Sequence, residues 1–540
     1  MPDTWTVAEA VAAFLKTNNV ARTYGLTGGE VTDLISATER VGIDFVLTHH
    51  ESCAAYMADA ESQLAGRPGV CISTVGPGAT NMVNGVANSY LERTPLLALI
   101  GDMASEVRDS WTHMTLDLVR LFDPVSKLAA RITPENVHSI LPQAWGAAMA
   151  GPQGPSCLML SAADAVTQVE RRKWDEVPIH AAANGVESVA GQLVDRMSSA
   201  ENPVLMLGLG ARNADVAAAS ADFASRWGVP VVLTPKAKGW YRSDADLYAG
   251  VYASYGSGGV ERLLSESGLT LGVGLDGSDF IRPWRFGPVV SLSENPTPDT
   301  AYPSEHHVCD VGATLTELAK ASNGTGDGIE RASLARNQSL RQVRGREPDE
   351  AGRRSLTTVG MDPNQALAAI RRAVPRDTPV TCDVGMLKLV ICQYWPSYEP
   401  NTFLVSNGLS TMGYGLPAAT SASMHLEGAP VVSMVGDGGL LMCAGELETL
   451  ARSQAAVIVI VAVDSSLGLI RLKAEDSSLD GSHNDFGTPD YAALARSLGI
   501  DGVRVESAQA LERSVTEHLH RGRSALIECP VNFDSYRRMV

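Results

Sequence analysis

The chain has 540 residues, well beyond the size of about 250–300 at which one hydrophobic core stops growing, so two to four domains are expected. With 45% hydrophobic and 19% charged residues, and 50 glycines spread along its length, it reads as a folded globular protein and not as a fibre or a disordered chain. A formal net charge of -18 excludes broad phosphate-backbone binding, and no nucleic-acid partner is expected.

Strand-like and helix-like segments alternate in three blocks, which implies an α/β fold of three consecutive parallel-sheet domains. In the first block, residues 1–180, a helix pattern over Val7 to Asn18 precedes a strand at Thr23 to Leu26. Then come the strand Asp44 to Leu47, a helix from about Glu51, the strands Val70 to Thr74 and Leu96 to Ile100, and a closing strand near Ser156 to Leu160. The second block, residues 190–325, has the strand Val204 to Leu207, the glycine turn Gly208 to Arg212 and the strand Val231 to Leu233, a Rossmann-like pattern. Residues 326–360 are polar and rich in Gly, Arg and Glu, and read as a charged helix and a linker. The third block, residues 361–540, holds strands at Val380 to Asp383, Val431 to Val435, Val457 to Val463 and Ala525 to Glu528, with a helix-like Leu440 to Arg452.

The strongest apolar run, Ala455 to Val463, is strand-sized and far short of the ~20 residues of a membrane span. The N-terminus lacks a basic stretch leading into an apolar run, so the chain is expected to be cytoplasmic with no membrane partner. Eight cysteines without CxxC pairs, several in apolar runs (Cys71, Cys157, Cys529), point to neither disulfides nor a zinc site.

The most informative segment is Val431 to Gly439, VVSMVGDGG, an apolar strand ending in Gly436-Asp437-Gly438 before a helix. Ligands bind beyond the carboxyl ends of parallel strands, where glycines admit phosphates and a carboxylate can hold Mg²⁺. Taken alone, a strand-to-helix turn with a capping Asp reads equally well. The next strand ends in Asp464-Ser465-Ser466, with 25 residues between Gly438 and Asp464. Here the chain resembles the thiamine diphosphate enzymes, whose diphosphate motif is GDG, a spacer of this length and an Asn-rich strand end. The resemblance implies thiamine diphosphate and Mg²⁺. It gives Asp437 and Asp464 as metal side chains, Ser466 as a main-chain ligand, and Gly436, Gly438, Gly439, Leu467, Gly468, Leu469 and Ile470 as cofactor neighbours. Asp464 stands where the family usually has Asn, which adds negative charge beside a diphosphate.

The strand Asp44 to Leu47 ends in Thr48-His49-His50-Glu51. A Glu here is also what a helix N-terminus favours. In the resembled family it hydrogen-bonds the aminopyrimidine ring and starts deprotonation of the cofactor, so Glu51, with His50 beside it, is a candidate catalytic residue. The GPGATN loop begins 25 residues after Glu51 and puts Gly76, Pro77 and Asn81 near the cofactor ring. GLSTMGYGLP, from Gly408 to Pro417, resembles the loop under the cofactor, with Gly408, Ser410 and Met412, which matches the apolar side chain that props the two rings into a bent V.

Within the family the likeness is to the acetolactate synthase group, from Tyr24-Gly25-Leu26-Thr27-Gly28-Gly29 through Thr234-Pro235-Lys236-Ala237-Lys238-Gly239 to the GLSTMGYGLP loop. This implies decarboxylation of a 2-oxo acid followed by carboligation, in a homodimer or homotetramer whose sites lie between subunits. Alternatives are a simple 2-oxo acid decarboxylase with a larger or apolar substrate, and an inactive cofactor-binding regulatory relative. Acetolactate synthases carry Gln in the segment that here reads Trp111 to Asp117, Gln where this chain has Met386, and a polar residue in place of Leu467. The substrate side is therefore expected to be more apolar, with Gly28, Gly29, Met114 and Leu467 around it. His113 is a candidate proton relay or carboxylate partner, against the alternative of a structural His. The central block of relatives holds FAD, another nucleotide or nothing. Gly208-Leu209-Gly210-Ala211-Arg212 is a partial glycine motif, and FAD is left unassigned.

Overall fold

The computed structural model describes residues 4–108, 110–177, 186–253, 257–322, 327–344, 360–453 and 455–536. Linker residues 326 and 345–359, and the expected domain ends at 1–3, 178–180 and 537–540, lie outside them.

Apolar β-branched runs form three six-stranded parallel sheets. The first block supplies β1 (Thr4–Thr6), β2 (Arg22–Gly25), β3 (Asp44–Leu47), β4 (Gly69–Ser73), β5 (Leu96–Asp102), β6 (Leu128–Arg131), β7 (Pro155–Ser161) and β8 (Gln168–Glu170). Its sheet runs β3-β2-β4-β5-β7-β6, and β1 pairs antiparallel with β8 to fasten the block's two ends. The central block has β9 (Val204–Leu207), β10 (Val231–Leu233), β11 (Tyr248–Val251), β12 (Thr270–Val273), β13 (Val289–Ser293) and β14 (Ser304–Val308) in the order β11-β10-β9-β12-β13-β14. That is the Rossmann order, as the sequence pattern implied. The third block has β15 (Val380–Cys382), β16 (Phe403–Val405), β17 (Val431–Gly436), β18 (Val457–Val463), β19 (Asp501–Arg504) and β20 (Ala525–Pro530), ordered β16-β15-β17-β18-β20-β19.

The first and third sheets share one topology, so each reverses its winding at the same place. The switch lies between β2 and β4 in the first and between β15 and β17 in the third. In such sheets the crevice at the switch is where ligands lodge. Gly28 and Gly76 follow β2 and β4, and Asp383 and Asp437 follow β15 and β17.

The helix Glu51–Ala65 is buried on nearly every side, through Ser62, because it lies between the first sheet and the helix Gly415–His425 of the third block. Small residues on both helices (Ala54, Ala55, Ala58; Ala418, Ala419, Ala422) allow that approach. Polar ties then fix its register: Tyr414 donates to Asp59 at 3.1 Å, and Ser421 donates to Tyr24 at 3.0 Å.

One sequence expectation is adjusted. Leu440 to Arg452 is not one helix but the end of Asp437–Met442 followed by Glu446–Ser453. At the break, a side chain on Gly445 would press on His49 at 2.9 Å, so a glycine is needed where the third block meets the strand end before Glu51. The polar stretch after residue 326 contains the charged helix expected there, Gly328–Arg344, and it lays Ala332 and Ala335 into the central core. All eight cysteines are free and buried, and no helix among the described residues is long and apolar enough to cross a membrane.

Candidate active site

The expected residues gather at two corners, each beyond the carboxyl ends of a sheet. At the first, Glu51 opens its helix and is 3% exposed, with Asn81 Nδ2 donating to its Oε2 at 3.0 Å. Asn81 belongs to the helix Pro77–Glu92, which starts at Gly76, where the chain turns with a φ of 65°. Met114 lies over Gly76, on a loop that exposes Trp111 and His113. Gly28 abuts Thr74, whose hydroxyl donates to Glu30 at 2.6 Å, while Gly29 faces open space. The strand end before Glu51 is gripped from the third block, because the backbone N–H groups of His49 and His50 both donate to Glu446 Oε1, at 2.9 and 3.1 Å. The His50 ring is exposed and caps the helix by accepting the Ser52 N–H at 3.1 Å.

At the second corner, Asp437 is buried, and its Oδ1 accepts the Gly438 N–H at 2.8 Å. Its Oδ2 accepts the N–H groups of Ser465 at 2.7 Å and Asp464 at 3.2 Å, so one carboxylate draws the ends of β17 and β18 together. The Asp464 carboxylate accepts the Ser466 N–H at 3.2 Å. Burial first, and the neighbouring Asp437 charge second, push the Asp464 carboxyl up to about 7. Burial also raises Asp437, opposed by the N–H groups it accepts. Met412, Leu467 and Phe486 surround the open face of Gly438, and Gly436 faces open space. Gly468 packs beside Asp464, Leu469 packs on the core and Ile470 is exposed. Ser410 is exposed with a φ of 55°, and Gly408 presses on Leu91. Met386 is 5% exposed and sits in the core cluster of the third block.

Sequence reading overlooked three residues. Asp383 ends β15 at the switch point and accepts the Gly413 N–H at 3.0 Å, and burial raises its carboxyl to about 6. It lies so close to Gly439 that any side chain there would collide with it. Lys388 is buried and donates 2.8 Å bonds to the Ser406 carbonyl and the Ser410 hydroxyl, and burial lowers its pKa. Phe486 arrives on a loop bonded to Ser465, where no motif announces it. The signal for Asp383 was present, since it ends its strand as Asp437 does.

The central glycine turn is closed on itself. Gly208 N–H donates to the Val273 carbonyl, Leu209 N–H to the buried Asp279 carboxylate at 3.0 Å, and Gly210 N–H to the Gly274 carbonyl. The Ala211, Arg212 and Asn213 amides are bonded within the turn. Arg212 reaches out to Gln63 of the first block at 3.0 Å. The amides that would cradle a dinucleotide phosphate are thus already occupied, and the turn does not fit FAD.

These two corners, on sheets of one topology flanking a Rossmann-type block, define a thiamine pyrophosphate enzyme. The family's N-terminal TPP binding domain matches residues 5–121, its central domain residues 190–318 and its C-terminal TPP binding domain residues 383–529, and the chain belongs to this family of cofactor-dependent enzymes. It is similar to the acetolactate synthase of Bacillus subtilis (strain 168), 28% identical over 537 residues that cover 97% of this chain and 93% of that one. The catabolic acetolactate synthase of Raoultella terrigena is 26% identical, covering 97% and 95%. The putative thiamine pyrophosphate-containing protein YdaP of Bacillus subtilis (strain 168) is 26% identical, covering 97% and 91%.

The donor set fits the cofactor's metal. The buried Asp437 and the half-buried Asp464 set two carboxylates at the ends of adjacent strands, raised in pKa by burial and, for Asp464, by the other's charge. Among the described residues no cluster of three or more His, Cys, Asp or Glu forms a closed protein site. A pair of carboxylates suits Mg²⁺, which takes one or two carboxylates and completes its shell with phosphate and other oxygens.

Proposed function

We propose that the protein binds thiamine diphosphate with Mg²⁺ and acts as a carboligase of the acetolactate synthase type. It takes a 2-oxo acid, releases its carboxylate as CO₂ and joins the remaining acyl carbon to a second carbonyl compound. The observation that carries this reading is the match of acetolactate synthases along 97% of the chain, with Glu51 and the Asp437–Asp464 pair both in place. When bound, the cofactor supplies a carbon nucleophile and an electron sink next to the carbonyl. Asp437 and Asp464 hold the metal, with the Ser466 main chain beside them. Gly436, Gly438 and Gly439 let the backbone approach the diphosphate, and Gly76, Pro77, Asn81, Gly408, Ser410 and Met412 border the rings. Glu51 holds and returns a proton at the aminopyrimidine, and the apolar Met114 and Leu467, with Gly28, Gly29 and His113, shape the donor side. The three domains are taken as 1–180, 190–325 and 361–540, with 326–360 between the last two. The eight free, buried cysteines suit a reducing compartment, which supports a cytoplasmic location.

Incubation with thiamine diphosphate, Mg²⁺ and a panel of 2-oxo acids, with and without an added aldehyde, should release CO₂ and yield coupled hydroxyketone products. CO₂ with free aldehyde alone would mean a simple decarboxylase, a reading the apolar lining by Met412, Leu467 and Phe486 keeps in play. No CO₂ from any acid would leave a cofactor-binding relative without catalysis.

Assembly follows from surface chemistry. Trp111 (54% exposed) and Leu116 flank the first corner, and Leu441 and Met442 (59%) the second, apolar surface of the kind that marks an interface. A homodimer or homotetramer with sites between subunits would cover it. Mixing inactive Glu51→Gln with inactive Asp437→Ala should then restore part of the activity, because some hybrid dimers carry one intact site. Native mass spectrometry must show hybrids in the mixture, and background activity with hybrids present would rule out the shared site.

A further inference from the structure

The helix Pro77–Glu92 joins the two halves of the machinery. Its N-terminal end carries Asn81, which holds Glu51, and its last residue is Glu92, 1% exposed. A carboxylate is disfavoured there, because the helix dipole places partial negative charge at the C-terminus and burial removes its water. Three contacts offset that cost, and they come from both other blocks. Lys236, itself 5% exposed on the central block's Pro235–Ala237 turn, pairs with Glu92 Oε2. Glu92 Oε1 accepts the backbone N–H groups of Asn407 at 2.6 Å and Gly408 at 2.5 Å. These amides open the loop that leads to Met412.

The same loop is gripped at further points. Ser406 donates to Asn88, on the helix of Glu92, at 2.7 Å and accepts the Thr411 N–H at 3.0 Å. Asn407 Nδ2 donates to the Ser278 carbonyl of the central block at 2.8 Å. Lys388 holds the Ser406 carbonyl and the Ser410 hydroxyl, although Ser410 sits in the left-handed region that non-glycine residues seldom adopt. A buried ion pair is a poor source of stability compared with apolar packing of equal volume. It does, however, fix geometry.

We propose that Glu92, paired with Lys236, is a positioning residue that preforms the Gly408–Met412 loop for the cofactor, so that binding need not bear the cost of ordering it. The inference rests on the reading that this loop borders the cofactor rings. The test uses the full-length chain and thiamine diphosphate at saturating Mg²⁺, with binding followed by calorimetry. Glu92→Ala is expected to weaken binding about tenfold or more and to raise the KM for the cofactor in the same proportion, with kcat at saturating cofactor changed far less. In Glu92→Gln/Lys236→Gln the amide oxygen can still accept both N–H groups and the two amides can bond each other. That pair is therefore expected to return cofactor affinity to within about threefold of the parent. A purely structural role would lower Tm in Glu92→Ala and leave the cofactor KM where it was. In the parent without cofactor, hydrogen exchange of the 403–413 segment should show the Asn407 and Gly408 amides protected, a measurement that needs no variant to fold. Fast exchange there, or unchanged affinity in a folded Glu92→Ala, overturns the inference while the functional reading stands. A parent chain that binds no thiamine diphosphate overturns both.

Discussion

Glu51→Gln is expected to keep its fold and lose about 10²–10⁴-fold in turnover, the range that a positioned acid–base group contributes. The fold should survive because the substitution preserves volume and an acceptor for the Asn81 amide, while the helix it opens remains capped by His50 and buried along its length. The chemistry should fail because an amide cannot take up and return a proton at the aminopyrimidine. Circular dichroism and the unfolding midpoint test the first half of the expectation. Exchange of the C2 proton of bound cofactor, followed by NMR, tests the second. A variant that exchanges this proton as fast as the parent would show that Glu51 has another task.

Where the physics is local, the sequence carried the answer. The strands β4, β17 and β18 are mostly apolar runs buried along their length, and the chain leaves β17 through Gly436-Asp437 and β18 into Asp464. The edge strand Ser304–Val308, SEHHV, escaped notice because no residue of it is fully buried and it has no apolar run. The same limit applies to the sites. Asp437 and Asp464 announce themselves through spacing, since two short helices and one strand separate two neighbouring strand ends. Glu92 does not, because its meaning depends on Lys236, Asn407 and Gly408, which lie 144, 315 and 316 residues away. A Glu closing an otherwise uncharged helix was the available hint, as a charge placed against the dipole needs a reason.

The central block shows the converse case, in which a motif was legible and its use was not. Gly208 to Arg212 reads as the start of a dinucleotide site, and the sheet order agrees with that reading. What decides the matter is Asp279, 70 residues downstream, whose carboxylate takes the Leu209 N–H that a phosphate would use. It also accepts the Thr234 hydroxyl at 2.6 Å, and burial holds its carboxyl up to about 7. Closing the turn in this way frees Arg212 to tie the central block to Gln63. Arg212 and Ser278 thus tie the central block to the first and third blocks, through Gln63 and Asn407.

Asp437→Ala should abolish retention of thiamine diphosphate at ordinary Mg²⁺, weakening binding by more than the ~100-fold that loss of a merely supporting group costs at a metal site. The substitution removes a metal carboxylate and also the acceptor that draws the Ser465 and Asp464 N–H groups toward β17, so the two strand ends lose their common anchor. Asp464→Asn should behave oppositely. An amide oxygen still offers Mg²⁺ a hard ligand and still accepts the Ser466 N–H, now bonded at 3.2 Å. It also removes one of two neighbouring negative charges whose proximity, after burial, helps push the Asp464 carboxyl up to about 7. With less repulsion toward the diphosphate, cofactor affinity should be equal to that of the parent or tighter, and the metal-free variant should be no less stable. Calorimetric titration of both variants with thiamine diphosphate and Mg²⁺ separates the cases. Equal loss in the two would mean that the second carboxylate is itself required, and that this chain holds its metal with one more charge than the Asn-bearing pattern it resembles.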